Sequence, residues 1–303
     1  MKNPLYLAAK AAYRLCFYSP HWHIGWRFVG DGDGVWERHD LGGVRWQTLP
    51  NPRFRFFADP FPISRDRTMH VFFEDFDHRR GKGAISAIAF GPAGPVGAAF
   101  TVLEEPWHLS YPFLIEDEGE VWMVPESSAS GAVSIYRADP FPHRWRRETD
   151  LLRGIEASDA TIVFYDGRFW MFATVGDGAV SAALHVFLAP RLLGPWRAHP
   201  KNPVLLDRSC ARPAGRMIVR NGRLWRPVQD CRRAYGAALG LAEVTRLDCK
   251  GYDQAVRKVL RPGSDWPGRR LHTLNQARGF EFIDGSAMRL RLSDMRPRNE
   301  MPG

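Results

Sequence analysis

The sequence predicts an all-β protein folded as a single five-bladed β-propeller with a short N-terminal helix, and three observations carry that expectation. One pattern, a polar residue followed by an apolar strand, a tight turn and a second apolar strand, is written five times. Its copies begin at Asp59, Tyr111, Asp159, Arg212 and His272, separated by 52, 48, 53 and 60 residues. A period of roughly 50 with several strands per unit is that of propeller blades, each of which must pack on its neighbours to bury its faces. The composition agrees, since 28 Gly and 23 Pro supply turns for many short strands and 11 Trp supply aromatic packing between them.

Taken in order, residues 4–18 read as a moderately amphipathic helix with Leu5, Tyr6, Ala9, Tyr13 and Phe17 on roughly one side. Such a segment either packs on its own domain or grazes a membrane, so peripheral membrane contact stays open. The strand His21–Phe28 is expected to complete the last blade and close the ring. Asp31-Gly32-Asp33-Gly34 lacks the later ligands of an EF-hand and reads as a solvated turn. Blade 1 is expected over 57–100, blade 2 over 107–136, blade 3 over 159–187, blade 4 over 212–244 and blade 5 over 272–292. Hairpins are signalled at Glu118-Gly119, Asp166-Gly167 and Asn221-Gly222, because Gly tolerates positive φ. Residues 252–271 read as a polar, irregular connection. The resulting division is an extension over 1–20, a propeller over 21–293 and a fraying tail over 294–303.

Charge and cysteine content narrow the function classes. The formal net charge is +9, from 42 Lys+Arg against 33 Asp+Glu. The arginines are dispersed and no nucleic-acid-binding motif accompanies them, which points to a sugar or glycolipid, anionic in some part, and away from nucleic acid. Cys16, Cys210, Cys231 and Cys249 have no CxxC spacing, so no zinc site is expected. Lys10 and Arg14 interrupt the N-terminal apolar run, and no stretch reaches the ~20 apolar residues of a spanning helix. A cytoplasmic location is the expectation.

In a propeller the first residues of the innermost strands converge on one mouth of a central channel. A purely structural repeat would keep one small or apolar type there, whereas this chain has five different polar groups. The ends of the second strands add Glu74 with Asp75, Glu126, Thr174, and Gln229 with Asp230; such residues also bind turn backbone. Glycoside cleavage needs one protonated carboxyl and one ionised carboxyl, for which Asp59, Glu126 and Asp159 are the catalytic candidates. Arg212 would contact a substrate carboxylate or phosphate, or favour the ionised form of a partner. Tyr111, His108, Gln229, Asp230 and His272 would complete the substrate shell, with Trp107 as a stacking face. Trp22, Trp46 and Trp266 lie on or near loops and are further platform candidates, while Phe54, Phe56 and Phe57 suit blade packing. His272 could carry a proton, hold a cation or water, or hydrogen-bond within a polar core. No cofactor is expected beyond a structural cation in the central channel.

These residues also carry a resemblance. The Ala58-Asp59-Pro60 start, and the link Leu193-Gly194-Pro195-Trp196 leading to His199-Pro200-Lys201-Asn202-Pro203-Val204, resemble the five-bladed propellers of glycoside hydrolase families 43, 32 and 68. HLSYPFLIEDEGEVWMVPES, DGRFWMFAT and SCARPAGRMIVRNGRLWRPVQDC, followed by Tyr235-Gly236, more closely resemble the N-terminal propeller domain of the glucosamine inositolphosphorylceramide transferase family, over about residues 50–290. The hydrolase resemblance implies a blade-1 Asp as general base or nucleophile, matched by Asp59. It also implies a blade-2 Asp that tunes the acid, where this chain has Tyr111, and a blade-3 Glu as acid, where it has Asp159 with Glu156 nearby. A channel cation, implied for some family-43 enzymes, would be matched by His272. The transferase resemblance implies sugar-related function, with glycosyl transfer assigned in that family to a different domain. The combined expectation is a carbohydrate-active enzyme that cleaves or transfers a glycosidic bond in bacterial glycan or glycolipid metabolism. The alternative from another class is a non-catalytic glycan-binding propeller.

Overall fold

The computed structural model describes residues 12–176, 182–266, 268–286 and 288–295, and these form five antiparallel sheets arranged as the blades of a propeller. From the axis outward, blade 1 runs Arg55–Arg65, Thr68–Asp77, Lys82–Gly91 and Gly94–Leu103. Blade 2 runs Ser110–Asp117, Glu120–Glu126, Ala132–Ala138 and Trp145–Arg153. Blade 3 runs Ala157–Tyr165, Arg168–Val175, Ala183–Ala189 and Arg197–Ala198, with Leu205–Leu206 also pairing on the third strand. Blade 4 runs Ile218–Arg220, Arg223–Asp230, Ala238–Asp248 and Gly251–Leu260.

Blade 5 joins the two ends of the chain. Leu274–Ala277 and Phe280–Ser286 are completed by Trp22–Phe28 and Gln47–Thr48. Trp22–Phe28 pairs with Phe280–Ser286 along its whole length, so backbone hydrogen bonds close the ring as the sequence predicts. The closure gives every blade a neighbour on both sides, so the only strand edges left are those of the innermost and outermost strands of the described sheets.

One turn type connects the first two strands of every blade. Asp66-Arg67, Glu118-Gly119, Asp166-Gly167, Asn221-Gly222 and Arg278-Gly279 all have φ between 48° and 81°. Two left-handed residues in a two-residue loop make a type I′ turn, whose twist matches that of the strands it joins, and Gly meets the second position without a Cβ clash. Apolar residues of adjacent blades then interdigitate; Phe61, Phe72, Tyr111, Phe113 and Trp145 belong to one buried cluster spanning blades 1 to 3. Trp46 and Trp266 are core residues of blades 4 and 5 rather than exposed platforms.

One expectation is corrected. Within 252–271, the segment Gly251–Leu260 is the outermost strand of blade 4, in register with Ala238–Asp248. Its Asp253, Arg257 and Lys258 gave it a loop-like polarity, but an outer strand is half solvated and tolerates charge, which also protects it from edge pairing. The Asp31–Gly34 loop leads into a short helix, Val35–Arg38, that the sequence reading did not anticipate. Residues 12–16 are helical, and residues 1–11 of the expected N-terminal helix lie outside the described residues. Arg291–Met295 forms a short helix in which Asp294 is buried and accepts from Phe54 N (2.9 Å). Residues 296–303 of the expected tail also lie outside the described residues. Among the described residues no helix is long and apolar enough to cross a membrane.

The insertion between the two N-terminal strands of blade 5 is organised by a buried guanidinium. Arg27 Nε donates to Glu281 Oε2 (2.8 Å), and its Nη1 donates to the carbonyls of Leu41 (3.0 Å), Gly42 (2.6 Å) and Val44 (3.1 Å). Glu281 Oε1 in turn accepts from Val35 N (2.6 Å), at the start of the short helix. Arg27→Ala would leave Glu281 buried without its counter-charge, so we expect a loss of about 3–5 kcal/mol in urea unfolding. A loss below about 1 kcal/mol, the range of an exposed pair, would contradict this reading.

Candidate functional site

Asp59, Tyr111 and Asp159 share one backbone conformation. Their φ values are 52°, 42° and 56°. Each sits in an interruption of the strand register, between Ala58 and Phe61, Ser110 and Phe113, and Ser158 and Thr161. Left-handed φ at non-glycine residues costs roughly 1–2 kcal/mol each, and a bulge re-aims the side chain out of the normal alternation. The residues facing Ala58, Ser110 and Ser158 across the strand pair are Glu74, Glu126 and Thr174. The register therefore places two layers of polar side chains at the same end of the inner hairpins.

These layers open onto a cavity of about 290 Å³. Three carboxyls line it, those of Asp59, Glu74 and Glu126, together with Arg212, His108 and His272. Ser110 and Ser158 add hydroxyls, and Trp22, Phe56, Phe76 and Tyr235 form an aromatic wall.

Asp59 is fixed on several sides. Its Oδ1 accepts from Thr273 Oγ1 (2.8 Å), its Oδ2 from Tyr111 N (3.2 Å), and its own N donates to Asp284 Oδ2 (2.8 Å). His272 Nδ1 donates to Asp284 Oδ1 (2.6 Å), and His272 Nε2 lies 3.7 Å from Asp59 Oδ1. The imidazole is stacked flat on Trp22 at 4.0 Å and meets the edge of Tyr235 at 5.2 Å. Burial pushes the Asp59 carboxyl up to about 7 against the pull of His272. Burial alone would lower His272, but the carboxyls of Asp284 and Asp59 outweigh it and hold the imidazolium above its ordinary value.

The other two carboxyls differ from Asp59. Burial raises Glu74 well above the usual carboxylate range, and the nearby Asp59, Glu126 and Asp284 add to the effect. His108 Nε2 lies 3.6 Å from Glu74 Oε1, and burial lowers His108 so that its neutral form is favoured. Glu126 accepts from Ser110 Oγ (3.0 Å) and from Ser128 N (3.1 Å), so both of its oxygens are engaged as acceptors.

Five of the ten catalytic and substrate-shell candidates therefore line the cavity, Asp59, Glu126, His108, Arg212 and His272, and so does the platform candidate Trp22. The rest stand elsewhere. Asp159 lies behind Arg212, pairing with its Nε at 2.6 Å and accepting from Gln229 Nε2 at 3.1 Å. Asp159 and Gln229 thus hold the guanidinium in place rather than face the cavity, and Arg212 also lies over the Tyr235 ring at 5.1 Å. Tyr111 is fully buried, its hydroxyl paired with Thr161 Oγ1 (2.8 Å) and accepting from Gly215 N (2.7 Å). Asp230 is taken up by Arg232 at 2.7 Å, and Trp107 packs against the core of blades 1 to 3. Glu74 was visible only as one of several strand-end polar residues. Thr273, Asp284 and Tyr235 were not weighed, although Asp284 ends the second strand of its copy much as Glu74 and Glu126 do.

Asp59, His272 and Asp284 have ligand atoms within 4.8 Å of one another, the spacing of a cation site. Those atoms are already committed: Asp284 accepts from three donors, His272 Nδ1 donates to it, and Asp59 accepts from Thr273 and Tyr111. The residues form a hydrogen-bonded cluster in which both carboxyls already accept from protein donors, while His272 Nε2 faces Asp59 Oδ1 at 3.7 Å.

The family model described as glucosamine inositolphosphorylceramide transferase 1, N-terminal, matches residues 48–281. A curated relative of that name from Oryza sativa subsp. japonica is 32% identical over 231 residues, which is 73% of this chain and 31% of the relative. The chain belongs to this family, and it spans about a third of the length of that relative. Among solved structures, a family 117 glycoside hydrolase from Zobellia galactanivorans superposes with a TM-score of 0.54 at 12% identity, covering 87% of this chain and 90% of its own. A family 43 protein of a Bacteroides ovatus xyloglucan locus gives 0.52 at 17% identity, covering 77% of this chain and 52% of its own. Both share the five-bladed fold expected from the sequence.

Raised carboxyls make stability depend on pH in a definite sense. Asp59 and Glu74 hold their protons more tightly folded than unfolded, so their contribution is complete below the unfolded value of about 4 and is lost as pH rises through the folded one. Because His272 is also raised, it acts in the same direction. We expect melting temperature to fall between about pH 5 and about pH 8, and Asp59→Asn, which stays neutral, to flatten that fall. Parallel curves for the two proteins would contradict it.

Proposed function

We propose that the cavity breaks or transfers a glycosidic bond, with Glu74 as proton donor and Asp59 as general base or nucleophile. The observation that carries this reading is a pair of buried carboxyls, both raised, in different surroundings on one cavity with an aromatic wall: Asp59 faces the His272 imidazole and Glu74 faces His108, whose neutral form is favoured. Glycoside chemistry needs that asymmetry, one carboxyl protonated for the leaving oxygen and one able to ionise beside the anomeric carbon.

Glu74, kept protonated by burial, would donate to the departing oxygen. Asp59, poised near neutrality, would take a proton from the incoming water or hydroxyl, or attack the anomeric carbon directly. His272 and Thr273 would stabilise the Asp59 carboxylate as it forms, and Asp284 would hold the His272 ring. Glu126 is less suited as the donor because both of its oxygens already accept hydrogen bonds, and Asp159 because it lies behind Arg212. Arg212, positioned by Asp159, would meet a carboxylate or phosphate on the substrate. The names of the relatives support a carbohydrate-related substrate: the solved neighbours carry glycoside hydrolase family names and the curated relative is called glucosamine inositolphosphorylceramide transferase 1.

A second reading is a glycan-binding module without turnover, favoured by the aromatic wall of Trp22, Phe56, Phe76 and Tyr235, which offers sugar rings a stacking surface. A panel of aryl glycosides, furanosides included, and activated sugar donors separates the two. Turnover is expected, lowered at least ~10²-fold in kcat by Asp59→Asn and by Glu74→Gln. Glycan binding that both variants retain, with no turnover by any form, would establish the module instead.

A further inference from the structure

We propose that the surface beside the cavity mouth docks on an anionic lipid bilayer, presenting the cavity to the head group of a membrane-borne glycolipid. The two ends of the chain are stitched together on that surface. Phe17 bridges Leu290, Tyr18 N donates to Arg289 O (3.0 Å), and Arg291 Nε donates to Phe17 O (3.3 Å). Along the seam Leu15 is 79% exposed, Leu292 64%, and Leu290 and Met288 47% each. Scattered exposed apolar residues are ordinary, but several large ones gathered on one seam mark an interaction surface.

Charge identifies the occupant. Arg291 lies over the Tyr18 ring at 4.9 Å, and Arg53 and Arg79 over the Phe54 ring at 5.5 and 5.3 Å. Phe54 is tied to the same seam through Asp294, and Arg14 is exposed on the helical segment 12–16. Asp294 is buried against Arg289 and Asp77 is paired with Arg79, which leaves Arg14, Arg53 and Arg291 as the seam's cations without a carboxylate partner among the described residues. Exposed leucines and arginines on one seam match the boundary between acyl chains and acidic head groups: the apolar tips enter and the guanidiniums meet phosphate oxygens.

The seam runs into the cavity mouth. Tyr18 stacks on His78 at 4.0 Å, His78 meets Phe76 at 5.4 Å, and both Phe76 and Pro20 line the cavity. A glycolipid whose chains stay in the bilayer could therefore offer its sugar to Asp59 and Glu74 without leaving the membrane. The choice of substrate rests on the proposed glycoside chemistry, whereas the docking does not.

The 303-residue chain is sedimented with phosphatidylcholine vesicles with and without phosphatidylglycerol, beside a Leu15→Asp/Leu292→Asp variant. We expect retention only on the anionic vesicles, about tenfold or more weaker in the variant, and release at ~1 M salt where screening shortens to about 3 Å. No retention of the wild type, or equal retention of both proteins, would overturn the proposal. So would a wild-type dimer that the variant dissolves without any vesicle binding, because the face would then join two copies of the chain. Turnover of a soluble aryl glycoside should be unchanged in the variant. Its absence in both proteins with vesicle binding intact would remove the glycoside chemistry, and with it the glycolipid assignment, while leaving the docking standing.

Discussion

The buried carboxyl of Asp284 ties the closure of the ring to the construction of the site. It sits on Phe280–Ser286, the strand that pairs with the N-terminal strand to complete blade 5. From there it accepts from Asp59 N in blade 1, from Thr273 N and from His272 Nδ1. Hydrogen bonds to a charged group contribute about 1.5–3 kcal/mol each, and these three converge on a residue with no solvent exposure. Blade 1 and blade 5 cannot separate without breaking the bond from Asp59 N to Asp284 and that from Thr273 Oγ1 to Asp59, and Asp59 cannot take its position unless the ring has closed. Folding and site assembly thus share one interaction.

The same geometry sets the electrostatics. Bulges with left-handed residues turn side chains to the axis, and the cross-strand register sets Glu74 and Glu126 beside them. Three carboxyls on one small cavity would repel one another if all were ionised. The fold answers in three ways: burial favours the protonated form of Glu74, Asp59 sits beside His272, and Glu126 is given two donors. The cation Arg212 is matched by Asp159 from behind, so it faces the cavity without adding an unpaired buried charge. Unequal environments for chemically similar groups are what acid–base catalysis requires.

Much of the fold was legible in the sequence because the repeat is written in turn chemistry and strand-end polarity, both local. The Glu118-Gly119, Asp166-Gly167 and Asn221-Gly222 turns, and the completion of blade 5 by Trp22–Phe28, follow from such signals. The outer strand Gly251–Leu260 was hidden because half-solvated strands and loops have similar composition. In the site, equivalence between copies located Asp59, Arg212 and His272 at the cavity. It could not show that Tyr111 is pinned by Thr161 and Gly215, or that Asp159 faces Arg212, because direction depends on packing across blades. Glu74 and Asp284 were obscured for the same reason: their roles arise from neighbours up to 225 residues away in the chain.

The division of labour between Glu74 and Asp59 is tested most directly by the pH dependence of kcat/KM, measured on whichever glycoside is turned over. If the roles are as assigned, ionisation of Asp59 near 7 should set the acid limb and deprotonation of Glu74 the alkaline limb, giving a bell. In Glu74→Gln the residual activity should lose its alkaline limb and keep the acid one. A bell that persists unchanged in Glu74→Gln would contradict the assignment and return the proton donor to another group on the cavity.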